Sequence, residues 1–139
     1  MQEDVKKKMS VEFAKQYPLE ILIAEDNPVN QKLTERVLTK LGYKPAIAED
    51  GKKVLDALNH QHYDLIFMDV QMPEMDGLEA TRTIRQLKGT QPIIIAMTAN
   101  ALQGDKEICM EAGMDDYVSK PIKLEVVISI LEKWAKNLV

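Results

Sequence analysis

The stretch that decides the fold is Asp64-Leu65-Ile66-Phe67-Met68-Asp69. From Leu65 onward it is a short apolar run that ends in an acid. Bounded by polar residues and followed by Pro73 and Gly77, such a run reads as a strand buried on both faces. A buried strand does not tolerate a carboxylate in its interior, so Asp69 is expected at the carboxyl end, facing a crevice. Open parallel sheets place their ligands there. The residues that follow, Val70-Gln71-Met72-Pro73-Glu74-Met75-Asp76-Gly77, read as a loop punctuated by Pro73 and Gly77. Taken alone, Asp69 reads equally well as a turn acid or a helix N-cap.

Outward from this stretch, a strand-then-helix pattern repeats five times. Strand one is expected at Leu19 to Ala24 and ends at Glu25-Asp26-Asn27. Asn27 suits an N-cap and Pro28 the first helical position. Val29, Leu33, Val37 and Leu41 recur at spacing four as the inward stripe of the next helix, which Gly42 closes. That phase puts Asn30 and Thr34 on the exposed side. A weak second strand, Pro45 to Ala48, precedes a helix from Gly51 to Leu58 with Val54, Leu55 and Leu58 inward. After the Asp69 strand, Leu78, Thr81, Ile84 and Leu87 mark a helix. Strand four is Pro92 to Met97, ending at Thr98. A helix from about Leu102 to Ala112 stops at Gly113. Strand five is Tyr117-Val118, ending at Ser119-Lys120-Pro121. The last helix carries Leu124, Val127, Leu131, Trp134 and Leu138. The alternation predicts an α/β fold, a doubly wound parallel sheet with helices on both faces. The pattern closes on its fifth helix, so no C-terminal effector domain is expected.

Residues 1–18 stand apart as a leader before a domain at 19–139. Lys6-Lys7-Lys8 is a short basic run, and Val5, Met9, Phe13 and Tyr17 recur every four residues. The leader reads either as an amphipathic helix trailing from an upstream linker or as a frayed, solvated segment. With 139 residues, 45% hydrophobic and 29% charged, the chain suits one soluble domain with a real core. A net charge of -4 argues against a nucleic-acid binder. No apolar run has the length of a membrane span, and no signal-peptide core is present. The single Cys109 excludes an internal disulfide, suits a reducing cytoplasmic setting, and reads as a small hydrophobe on a helix.

Four of the five strands end in a polar group at one edge of the sheet: Glu25 and Asp26, Asp69, Thr98, and Lys120. Each has a plain reading as a cap, a turn residue or a solvated lysine, but four together on one edge point to a site. Three crowded carboxylates repel, and a hard divalent cation with oxygen ligands relieves them. Mg²⁺ fits because it needs few protein ligands. A lysine and a hydroxyl beside one carboxylate suit phosphoryl transfer, in which positioning and charge neutralisation dominate. Asp69 is then the nucleophile that forms an aspartyl phosphate. No Walker-type loop, His/Cys metal cluster or Ser-His pair is present. His60 and His62 are expected to face solvent.

In combination these motifs resemble the receiver (response-regulator) domain of two-component phosphorelays. The segments that carry the resemblance are Glu25-Asp26-Asn27, Asp69 with the Met72-to-Gly77 loop, Thr98-Ala99, and Tyr117 to Pro121. It runs from Leu19 to about Asn137. It implies the flavodoxin-like strand order 2-1-3-4-5. It implies Asp69 as phosphoacceptor from a partner's phosphohistidine. Asp26, Asp69 and the Gln71 carbonyl would hold Mg²⁺, with Glu25 acting through water. Thr98 and Lys120 would contact phosphoryl oxygens, and the Lys120-Pro121 bond would be cis. Tyr117 matches the family's switch aromatic, moving with Thr98. Gln71 and Asn100 occupy positions that tune phosphoryl lifetime. The run from Glu25 to Gln31 and the Met72-to-Gly77 loop resemble receivers of hybrid sensor histidine kinases. Implied partners are a kinase domain and a histidine phosphotransfer domain, docking over the first helix of the repeat with Asn30 and Thr34 as contacts. The implied setting is cytoplasmic, with a parent chain that can be membrane-anchored. Such a domain catalyses its own phosphorylation and dephosphorylation and is not an independent turnover enzyme.

Two alternatives stay open at this point: a stand-alone single-domain response regulator, and an aspartate-nucleophile phosphatase of the haloacid dehalogenase type. The second needs an acid two residues after the nucleophile, where this chain has Gln71.

Overall fold

The computed structural model describes residues 10–99 and 103–138. Strands β1 (Ile21–Ala24), β2 (Ala46–Ala48), β3 (Leu65–Asp69), β4 (Ile93–Thr98) and β5 (Asp116–Ser119) form one sheet in the order β2-β1-β3-β4-β5. All four pairings are parallel. In this register Ala24 lies beside Met68, Asp69 beside Met97, and Thr98 beside Ser119. The ends of β1, β3, β4 and β5 therefore reach one edge together. The order and the parallel sense are those expected from the sequence.

The helices are α1 (Glu12–Gln16), α2 (Pro28–Lys40), α3 (Gly51–His60), α4 (Gly77–Gln86), α5 (Gln103–Ala112) and α6 (Leu124–Leu138). Alternation along each strand divides the interior into two cores. Leu65 and Phe67 of β3 join Phe13 of α1, Leu38 of α2, and Val127 and Leu131 of α6. Ile66 and Met68 join Val54 of α3, Ala80 and Ile84 of α4, and Cys109 of α5. Each such large side chain, fully buried, contributes about 1.5–3 kcal/mol of transfer free energy. The helix starts follow their caps. Asn27 Oδ1 accepts from the Val29 and Asn30 amides, Asp50 from Lys53, and Asp76 from Glu79.

The phase expected for α2 is corrected. Val29 is 66% and Leu33 42% exposed, whereas Thr34 and Leu38 are buried, followed by buried Leu41. A strict four-residue spacing advances about 40° per step beyond a full turn, so a stripe held over three steps rotates off the core. Thr34 therefore cannot be a surface contact. Leu87 likewise lies just beyond α4 and is exposed. Strand β5 is four residues rather than two, because Asp116 and Ser119 also pair with Ile95 and Thr98.

Part of the leader is built into the fold. Phe13 is 2% exposed, with its ring 5.0 Å from that of Tyr17 and 6.3 Å from that of Tyr43. The Ala14 amide donates to the Leu41 carbonyl, and Tyr43 Oη donates to the Tyr17 carbonyl. The Lys6-to-Lys8 run, Asn100 and Leu102 lie outside the described residues. Among the described residues, no helix is long and apolar enough to cross a membrane.

Candidate functional site

The carboxyl edge of the sheet opens into a cleft of about 900 Å³ bordered by Glu25, Asp26, Asp69, Gln71, Thr98 and Lys120. Its three clustered acids come from two strand ends. The β1 strand delivers Glu25, 1% exposed, and the exposed Asp26, while β3 ends in Asp69, 5% exposed. Oxygens of the three carboxylates all lie within 4.8 Å of one another. Lys120, just past β5, reaches across: its Nζ is 2.8 Å from Glu25 Oε1 and 2.7 Å from Asp69 Oδ2. The Lys120-Pro121 peptide is cis.

Glu25 and Asp69 are oriented by neighbouring groups. The Asn27 amide donates to Glu25 Oε2, and Gln31 Nε2 donates to the Glu25 carbonyl at 2.7 Å. The Gln71 amide donates to Asp69 Oδ1. Glu25 Oε1, although close to the ammonium, has no partner in hydrogen-bonding geometry. Burial pulls the Lys120 pKa down, but the close ion pairs with Asp69 and Glu25 outweigh it and hold that pKa above the usual lysine value. Lys120 is therefore a fixed positive charge. Three carboxylates against one ammonium leave the cluster two negative charges in excess. A buried carboxylate oxygen without a hydrogen bond and an all-oxygen donor set fit a hard divalent cation such as Mg²⁺.

Thr98 ends β4 at the same edge, and its carbonyl accepts from the Lys120 amide. Tyr117 pairs with Ala96, two residues before Thr98, so it shares the sheet face of Thr98. It is half-buried against the second core, with Lys106 Nζ 5.1 Å from its ring centre. The structure thus brings together Glu25, Asp26, Asp69, Gln71, Thr98 and Lys120. His60 and His62 are exposed, as expected, and neither borders the cleft. Cys109 is buried on α5, and burial, with the Asp105 charge, pushes its thiol pKa up, which suits an inert packing residue.

Sequence reasoning missed Gln31, whose side chain ties α2 to the Glu25 backbone. Its spacing of six residues from Glu25, just inside a capped helix, was the available signal. It also read Gly77 as loop punctuation. Gly77 is the first residue of α4 and packs against the Asp69 carbonyl so closely that any Cβ would collide with it.

An open parallel sheet with an acidic, lysine-bridged cleft at its carboxyl edge defines a doubly wound α/β domain. Residues 21–132 match the response regulator receiver domain family, and the chain belongs to that family. It is 46% identical over 132 residues to histidine protein kinase 1 of Candida albicans, covering 87% of this chain and 5% of that protein. This chain thus spans only a small part of that relative's length. The receiver domain of sensor histidine kinase PA1611 from Pseudomonas aeruginosa PAO1, solved with a magnesium ion in its active-site cleft, superposes with a TM-score of 0.77. That match is at 48% identity and covers 85% of this chain and 98% of that one. The receiver domain of Saccharomyces cerevisiae Ssk1, solved with the histidine phosphotransfer protein Ypd1, gives 0.79 at 29% identity, covering 86% and 90%.

Proposed function

We propose that this domain takes a phosphoryl group from a partner's phosphohistidine onto Asp69, within a hybrid-kinase phosphorelay. The reading is carried by the Lys120 ammonium set 2.7 Å from Asp69 Oδ2, with two further acids in reach. Asp26, Asp69 and the Gln71 carbonyl would hold Mg²⁺, with Glu25 acting through water. The bound ion would neutralise charge on the transferring group. A carboxylate oxygen of Asp69 attacks phosphorus as the phosphorus–nitrogen bond of phosphohistidine breaks, and the electron pair of that bond stays on the imidazole. Lys120 then pairs with a phosphoryl oxygen, and Thr98 donates its hydroxyl to another. Drawing Thr98 inward makes room for Tyr117 to turn, which is the conformational switch. Gln71 borders the cleft as a gate to water and so acts on phosphoryl lifetime; Asn100 is assigned the same role from the sequence alone.

The partner is a histidine phosphotransfer or kinase domain, as Ypd1 is for Ssk1. The outer face of α2, with Val29 and Leu33 exposed beside the cleft residue Asn30, offers the apolar contact such a partner needs. Incubation with acetyl phosphate and Mg²⁺ tests the reading. One phosphoryl group is expected, acid-stable and base-labile, and its formation stops with a chelator. Steady hydrolysis of phosphomonoesters without an adduct would favour a phosphatase instead.

A further inference from the structure

The loop that follows Asp69 carries Gln71 and is clamped from two sides. At its end, the Gly77 amide donates to the Val70 carbonyl at 3.0 Å, and Gly77 packs on the Asp69 backbone. Its middle is held from a different element, the start of α3. There the Gly51 amide donates to the Met75 carbonyl at 3.0 Å. A Cβ on Gly51 would lie 2.5 Å from that carbonyl oxygen, 2.8 Å from Met75 Cβ and 2.7 Å from its Cγ. Real contacts do not reach those distances, so the Met75 peptide would have to move. Gly51 is buried, and Met75 packs against the second core. Glu74 is the one non-glycine residue with positive φ among the described residues, at 66°. The loop is therefore set in a shape that local preference does not favour and that the α3 contact maintains.

We propose that Gly51 and Met75 are positioning residues for the cation site, fixing through the loop where the Gln71 carbonyl and the Asp69 carboxylate stand. The inference rests on the assignment of Mg²⁺ to this cleft. Neither residue is among the acids or the lysine of the cleft, so an effect on cation affinity would travel through the backbone of 71–75. Groups that orient a ligand change metal affinity without touching the metal.

The test is calorimetric titration of the full chain with Mg²⁺. Gly51→Ala is expected to raise the dissociation constant about three- to ten-fold, short of the loss from removing a ligand's direct hydrogen-bond partner. Gly89→Ala is the control. An added Cβ there meets nothing within 4 Å, but φ is +105°, so the substitution strains the fold without touching the loop. It leaves Mg²⁺ affinity unchanged. Met75→Ala keeps the backbone bond and loosens the packing, and it shifts affinity in the same direction even if Gly51→Ala does not fold. Parent-like affinity in both Gly51→Ala and Met75→Ala would overturn the proposal. A parent chain that binds no Mg²⁺ would instead sink the function on which the proposal rests.

Discussion

The Lys120 ammonium stands 2.7 Å from the Asp69 carboxylate, although β4 lies between the strands that carry them. It also neutralises buried Glu25, so removing it strands two acids. Lys120→Ala is expected to cost about 3 kcal/mol in the metal-free protein, the usual scale for orphaning a buried charge. The same change removes a competitor for the cation. Mg²⁺ should therefore bind the variant more tightly and raise its melting temperature more than it raises the parent's. Denaturation with and without Mg²⁺ checks this, and equal Mg²⁺ shifts in the two proteins would contradict it.

The cleft was legible because its acids end apolar runs. Asp69 follows four apolar residues, and Glu25 follows β1, so a strand prediction alone delivers both to one edge. The face of α2 was not legible, because Val29 and Leu33 are as apolar as Leu38 and Leu41. Only the helical rotation accumulated over the helix decides which pair is buried. The role of Phe13 was hidden for a different reason. Apart from Tyr17, the residues that share its core include Leu38, Leu41 and Tyr43, which are more than twenty residues away, and a periodicity confined to residues 5–17 carries no trace of them.

Phe13 gives the second prediction. As a 2%-exposed ring in the same core as Phe67, it should cost about 3–5 kcal/mol when truncated to alanine. Urea unfolding of Phe13→Ala measures this. A loss under about 1 kcal/mol would show that the leader merely rests on the surface.

The third prediction concerns acid stability and Asp116. Burial alone would raise its pKa. Bonds from Trp134 Nε1, the Tyr117 amide and Lys133 Nζ outweigh burial and hold it below the ordinary carboxylate value. A depressed folded pKa stabilises above the unfolded value and is lost as pH falls through the folded one. Asp116→Asn should therefore cost about 1 kcal/mol at neutral pH. The two stability curves should converge below about pH 4. Chemical denaturation from pH 7 to pH 3 reads this directly, and parallel curves would contradict it.

A fourth prediction separates partner docking from phosphoryl chemistry. Val29→Asp and Leu33→Asp change exposed side chains and should leave stability within about 0.5 kcal/mol. Both should slow phosphoryl transfer from a phosphohistidine protein while leaving labelling by acetyl phosphate at the parent rate. Loss of both reactions together would place the defect in the cleft and not on α2.

The central claim is that Asp69 itself carries the phosphoryl group, and intact mass spectrometry of the parent and Asp69→Asn after acetyl phosphate and Mg²⁺ tests it most directly. The expected result is a single phosphoryl adduct on the parent and none on the variant, which has lost one negative charge but little volume. An adduct of equal yield on Asp69→Asn would contradict the assignment.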